Sequence, residues 1–128
     1  MSKFGSPEWL ARYQELGEAL PETAGVTARV QHVVPGSPDG ELRYLVSIVD
    51  GRLTEMVSGI AEDADVSMTT KYPDAVAILN GRFDANASFI SGRTKVTGST
   101  GTLLGVLALY GSEPYEALRA ALAGSTHT

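Results

Sequence analysis

Between residues 26 and 71 apolar side chains recur at every second position, and on either side of that stretch they recur at every third or fourth. Alternation belongs to half-buried strands and the longer period to amphipathic helices. The chain therefore predicts a sheet held between helical segments. Ser6-Pro7-Glu8 opens the first helix with a capping hydroxyl, a proline and an acid. Trp9, Tyr13, Leu16 and Leu20 follow at helical spacing until Pro21 stops it. Residues 26–34 alternate as a strand, with Val26, Ala28, Val30 and His32 on one side and Thr27, Arg29, Gln31 and Val33 on the other.

A turn-rich connector at residues 35–40 leads to a hairpin partner, residues 41–49, in which Leu42, Tyr44, Val46 and Ile48 share a face. Asp50-Gly51 makes a tight turn and residues 52–58 return, so three successive antiparallel strands form a meander. A fourth strand at residues 64–71 places Val66 and Met68 inward. Tyr72-Pro73-Asp74 starts a short helix bearing Val76 and Leu79, which Asn80-Gly81 ends, and Asp84 caps another that runs toward Phe89. After the turn at Gly92 a fifth strand alternates through Val96 to Gly98. Ser99 and Thr100 cap a helix with Leu103, Leu104 and Leu107 on one face, and Ser112-Glu113-Pro114 opens the last helix, with Tyr115, Leu118 and Leu122 on one side. The predicted architecture is α+β, a five-stranded, mainly antiparallel sheet with helices laid on one face.

Composition narrows the function classes. The length of 128 residues with 43% hydrophobic content suits one domain, residues 1–128, with one core. Ten basic residues are scattered singly in a chain of net charge −5, which provides no basic stripe for nucleic acid. The absence of cysteine removes disulfides, thiolate catalysis and cysteine-ligated zinc. No apolar run has the length of a signal peptide or a membrane span, so a cytoplasmic protein without an integral membrane segment is expected.

Candidate chemistry is sparse. His32 could serve as a general base if another group oriented it, but it stands alone, without a His or acid at metal-ligand spacing, and reads first as a strand-edge or hydrogen-bonded histidine. Glu62, Asp63 and Asp65 read as a solvated turn. Gly98-Ser99-Thr100-Gly101 could offer backbone N–H groups to an anionic headgroup, or serve only as a turn with a helix cap; the lysine of a Walker loop is missing. The serines lack histidine and acid partners, so nucleophilic catalysis has no parts.

The succession Phe89, Gly92, a strand through Val96, Gly98 and an apolar helix resembles the sterol carrier protein type-2 family of lipid-binding domains. The likeness continues upstream through residues 44–51 (YLVSIVDG), 57–59, 64–70 (ADVSMTT), 73–81 (PDAVAILNG) and 83–87 (FDANA), in the family's order. It spans residues 44–109, and it departs at Ser99, where the family commonly carries Asn or Asp. The resemblance implies that sheet and helices enclose an apolar cavity for a fatty chain, sterol-like or polyketide-like molecule, with no cofactor and no metal. On that reading the sheet residues Tyr44, Met56, Met68 and Val96 face ligand. So do Val76, Leu79, Phe89, Leu103, Leu104 and Leu107 from the central helices, and Leu118 and Leu122 from the last. Periodicity alone would make the same side chains plain core.

Three classes of function are left. One is a non-enzymatic lipid binder or carrier. Another is a small cofactor-free isomerase or cyclase using His32, Tyr44 or Glu55 in the same cavity. The third is an interaction module or homodimer subunit whose apolar helix faces a partner. The last helix, residues 113–123, has a thin apolar face and flanking glycines, and is expected to act as a lid.

Overall fold

The computed structural model describes residues 1–128. Its elements in chain order are strand β1 (Ser2–Lys3), helix α1 (Pro7–Glu18), the strands β2 (Ala28–Ser37), β3 (Gly40–Val49), β4 (Arg52–Ser58) and β5 (Val66–Thr70), the short helices α2 (Tyr72–Leu79) and α3 (Ala85–Ile90), strand β6 (Thr94–Gly98), helices α4 (Thr100–Tyr110) and α5 (Glu113–Gly124), and strand β7 (Thr126–His127). The fold is α+β, and the large sheet has five strands in the order β4-β3-β2-β5-β6.

The meander forms as the alternation requires. Ala28 pairs with Ile48, Val30 with Val46 and His32 with Tyr44, and β3 pairs antiparallel with β4 across the Asp50-Gly51 turn. Both turn residues take positive φ, 48° and 81°, as a two-residue hairpin with right-twisted strands demands. β5 departs from a purely antiparallel sheet, because it lies beside β2 in parallel, Val30 opposite Val66 and His32 opposite Met68. A parallel neighbour cannot be reached by a hairpin, so the chain has to cross over after β4.

Residues 59–65 make that crossing on the sheet's back, and Gln31 anchors it. Gln31, only 3% exposed, donates from Nε2 to the Gly59 carbonyl at 2.9 Å and accepts from the Ala61 N–H at 2.8 Å. The acidic cluster also serves the crossing. Asp65 accepts from the Arg29 N–H at 2.8 Å, and Asp63 pairs with the Arg29 side chain at 3.2 Å. Gly98 is then required where β6 ends, since a Cβ there would come within 2.2 Å of the Asp65 carbonyl oxygen.

The opposite face of the sheet carries the core, with Val30, Val46, Ile48, Leu53 and Val66 essentially sealed from solvent. Helix α1 starts at its Ser6 cap, which accepts from the Trp9 N–H, and lays Trp9, Leu10, Tyr13 and Gly17 against this face. Gly17 lets the helix touch β4: an added Cβ would lie 2.4 Å from the Leu53 Cβ. The C-terminal tail is tied down. β7 pairs in parallel with β1, and Thr126 accepts a 3.0 Å hydrogen bond from the Trp9 indole.

Candidate functional site

A cavity of about 340 Å³ lies between the sheet and the short helices, at the end where β2, β5 and β6 meet α2 and α5. Its floor is His32, Tyr44, Met68, Thr70 and Thr94, all on the inward side of their strands. Phe4, Trp9 and Tyr13 close one side, and Leu79, Leu118 and Leu122 another. Its polar rim is Asp84, Glu116 and Arg119.

The void follows from the sequence's short elements. Helix α2 has eight residues and α3 has six, and of α2 only Leu79 is buried. Elements that short cannot roof three strands with interdigitating side chains over their whole width. Asp84 caps α3 by accepting from the Ala87 N–H at 2.9 Å, and the buried Ser88 hydroxyl bonds Thr94 at 2.7 Å, which pins the roof to β6.

Aromatic rings dominate the wall. His32 stacks on Tyr44 with centroids 5.0 Å apart and on Tyr110 at 5.9 Å, and Tyr110 stacks on Tyr115 at 4.7 Å. The His32 Nε2 is 2.9 Å from the Tyr110 hydroxyl, and the Tyr115 and Tyr13 hydroxyls share a short hydrogen bond. Burial pushes the His32 pKa down to about 4 and Tyr13 up to about 12, and it raises Tyr44, Tyr110 and Tyr115 well above the ordinary phenol value. The imidazole and all four phenols are thus neutral near pH 7. Arg119 carries charge, but Nε and Nη2 donate to the two Glu116 oxygens at 3.0 and 2.6 Å, while Nη1 donates to the Leu79 carbonyl. The Arg119 hydrogen bonds hold the Glu116 carboxyl below its usual value. No group of three His, Asp or Glu side chains is placed to hold a metal ion.

Of the side chains that the sequence marks as ligand-facing, Tyr44, Met68, Leu79, Leu118 and Leu122 border this cavity. Met56, Leu103 and Leu107 are buried in the apolar core away from it, and Val76, Phe89 and Val96 pack half-buried against that core. Leu104 requires a correction. It is 64% exposed, because α4 turns Leu103, Val106, Leu107 and Leu109 inward and leaves Leu104 on the solvent side. A helix with apolar residues on nearly every side gives periodicity too little contrast to choose the buried face. Only Tyr110, at the end of α4, reaches the cavity.

Among the ionisable candidates, His32 and Tyr44 line the void, whereas Glu55 is exposed on β4. The Gly-Ser-Thr-Gly turn is occupied structurally, with Ser99 accepting from the Thr102 N–H at 3.4 Å and donating its own N–H to the Asp65 carbonyl at 3.1 Å. Tyr13, Tyr110, Tyr115 and Arg119 escaped the sequence reading as site residues. A signal was present in Tyr110 and Tyr115, five positions apart across a helix break, but which face each ring took depended on the packing of α5.

The model of the SCP-2 sterol transfer family matches residues 8–109. The chain belongs to that family. Similar folds agree with the assignment. A crystal structure of sterol carrier protein 2 superposes with a TM-score of 0.74 at 16% identity, covering 91% of this chain and 98% of that one. Sterol Carrier Protein 2 Like 2 from Aedes aegypti gives 0.66 at 14% identity over 81% and 94%, and a solution structure of the palmitated Aedes aegypti protein gives 0.62 at 15% over 82% and 89%. No curated protein sequence matches the chain. As a member of the SCP-2 family, the chain is a lipid-binding type of domain, and no helix in it is long and apolar enough to cross a membrane.

Proposed function

We propose that this SCP-2 family member binds a hydrophobic small molecule in the cavity between β2, β5, α2 and α5 and serves as a non-enzymatic carrier for it. The supporting observation is the cavity itself. Its volume of about 340 Å³ falls within the range of small-molecule sites, roughly 300–1,000 Å³, and its walls are mostly apolar with a few convergent polar groups. His32 and the phenols supply hydrogen bonds without charge, and the one buried base is weakened by its own burial. That suits holding a ligand better than abstracting a proton from it.

The test is saturable binding of apolar ligands, followed by calorimetry, with and without a chelator. Leu79→Trp fills part of the void from α2 and is expected to weaken binding by about tenfold or more, equivalent to about 1.4 kcal/mol, with no sensitivity to chelator in either protein. No saturable binding to any apolar ligand, or a Leu79→Trp protein that folds and binds as well as the parent, would defeat the proposal.

A further inference from the structure

Seven of the chain's nine aromatic residues border the cavity: Phe4, Trp9, Tyr13, Tyr44, Phe83, Tyr110 and Tyr115. A wall for a saturated chain needs no such concentration, since aliphatic side chains bury alkyl surface equally well. Four rings, Tyr44, His32, Tyr110 and Tyr115, form one continuous row, with interplanar angles of 16°, 28° and 27° between successive members. Near-parallel rings in series present a surface suited to another flat π-system, which stacks or meets them edge-on.

The polar groups in the wall are neutral and not all paired. Tyr110 is bonded to His32 and Tyr115 to Tyr13, but the Tyr44 hydroxyl has no partner in the protein although the residue is only 7% exposed. A phenol O–H that opens onto the cavity and has no acceptor in the protein is free to donate to an oxygen-bearing ligand. No free cation faces the void. Arg119 is bidentate to Glu116 and bonded to Leu79, so a carboxylate entering the cavity would find no unpaired positive charge to offset its own desolvation.

Resting on the binding function proposed above, we infer that the ligand is an uncharged, planar, conjugated molecule carrying a carbonyl or hydroxyl oxygen, and that Tyr44 donates to that oxygen while the aromatic row takes the flat skeleton. A free fatty acid fits neither feature, being anionic at one end and saturated along its length.

Four probes separate the parts: anthraquinone, which is planar with carbonyl acceptors; anthracene, of the same outline without them; hexadecanol, uncharged and saturated; and palmitate, saturated and anionic. Each is titrated near neutral pH against the full chain and its Tyr44→Phe variant, with Trp9 fluorescence and calorimetry as readouts. Anthraquinone is expected to bind about tenfold tighter than anthracene, the worth of one buried hydrogen bond, and tighter than either saturated probe. Tyr44→Phe, which keeps the ring, is expected to erase most of the difference between anthraquinone and anthracene while leaving anthracene binding as it was. Palmitate or hexadecanol binding as tightly as anthraquinone would overturn the inference and leave the carrier function standing. Equal weakening of anthraquinone and anthracene by Tyr44→Phe would overturn the role of its hydroxyl. Failure of all four probes to bind would overturn both readings together.

Discussion

The two halves of the sheet's inner face are built by different means. Over β4 and β3 lies α1, twelve residues long, set so close that Gly17 leaves no room for a Cβ beside Leu53, and the strands beneath it bury Val46, Ile48 and Leu53 almost completely. Over one end of β2, β5 and β6, which Tyr44 of β3 also borders, lie α2 and α3, eight and six residues long, with α5 behind them, and there a cavity stays open although Val30 and Val66 on the same strands are sealed. One sheet therefore has a dry end and a hollow end. Close packing lies where a long helix meets large aliphatic residues, and the other end holds rings and hydroxyls around an open volume.

The contrast can be broken most forcefully at the dry end. Gly17→Val would drive two methyls into Leu53 and is expected to cost about 3 kcal/mol or more, measured by urea denaturation. If it costs under about 1 kcal/mol, α1 is not held as closely as the geometry requires. Truncation compares the two ends directly. Leu53→Ala is expected to cost about 3 kcal/mol and Leu118→Ala about 2 kcal/mol, since Leu118 already borders empty space and loses fewer contacts. Equal costs would mean that the hollow end is as tightly packed as the other.

Acid should act at the hollow end through His32. The folded protein holds His32 at a pKa of about 4, below the ordinary value of about 6.5, so the unfolded chain takes up a proton first as pH falls. The stabilisation is complete above about pH 6.5 and is lost progressively down to about pH 4, a difference on the order of 2 kcal/mol for a side chain not wholly shielded from solvent. His32→Gln, compared with the parent by denaturant unfolding across that range, should flatten this part of the slope; identical slopes would show that the imidazole is already solvated. The smallest effect belongs to Leu104→Arg, on the exposed side of α4, which should change stability by less than about 0.5 kcal/mol and leave ligand affinity unaltered. Lost binding in a folded Leu104→Arg protein would put the site on the wrong side of the molecule.

The last helix also reads differently once its surroundings are known. Thin apolar periodicity and bracketing glycines make α5 the weakest element on paper, and yet it is fastened at several points: Tyr115 to Tyr13, Arg119 to the Leu79 carbonyl, and Thr126, just past its end, to Trp9. Residues remote in the chain supply those fastenings, so nothing within residues 113–123 announces them.

Local patterns were sufficient for every helix and for all five strands of the main sheet, because period, caps and turn residues act over a few positions. Ser6, Asp84, Ser99 and Ser112 each cap the helix that follows them, and Asp50-Gly51 adopts the turn its composition demands. Chain order alone also carried the family likeness. Three matters were decided only by the assembled structure. The parallel seating of β5 beside β2 depends on a crossover anchored by Gln31, a residue that alternation assigns to a solvent face. The minute strands β1 and β7 exist only because the termini meet. The choice between core and cavity wall among Met68, Leu79, Leu103, Leu107 and Leu118 rests on how far each short helix extends over the sheet. Hydrophobicity drives all of these side chains from water with similar force, but it is non-directional, and whether a buried leucine meets another side chain or an open volume is set by the shapes of elements brought together from distant parts of the chain.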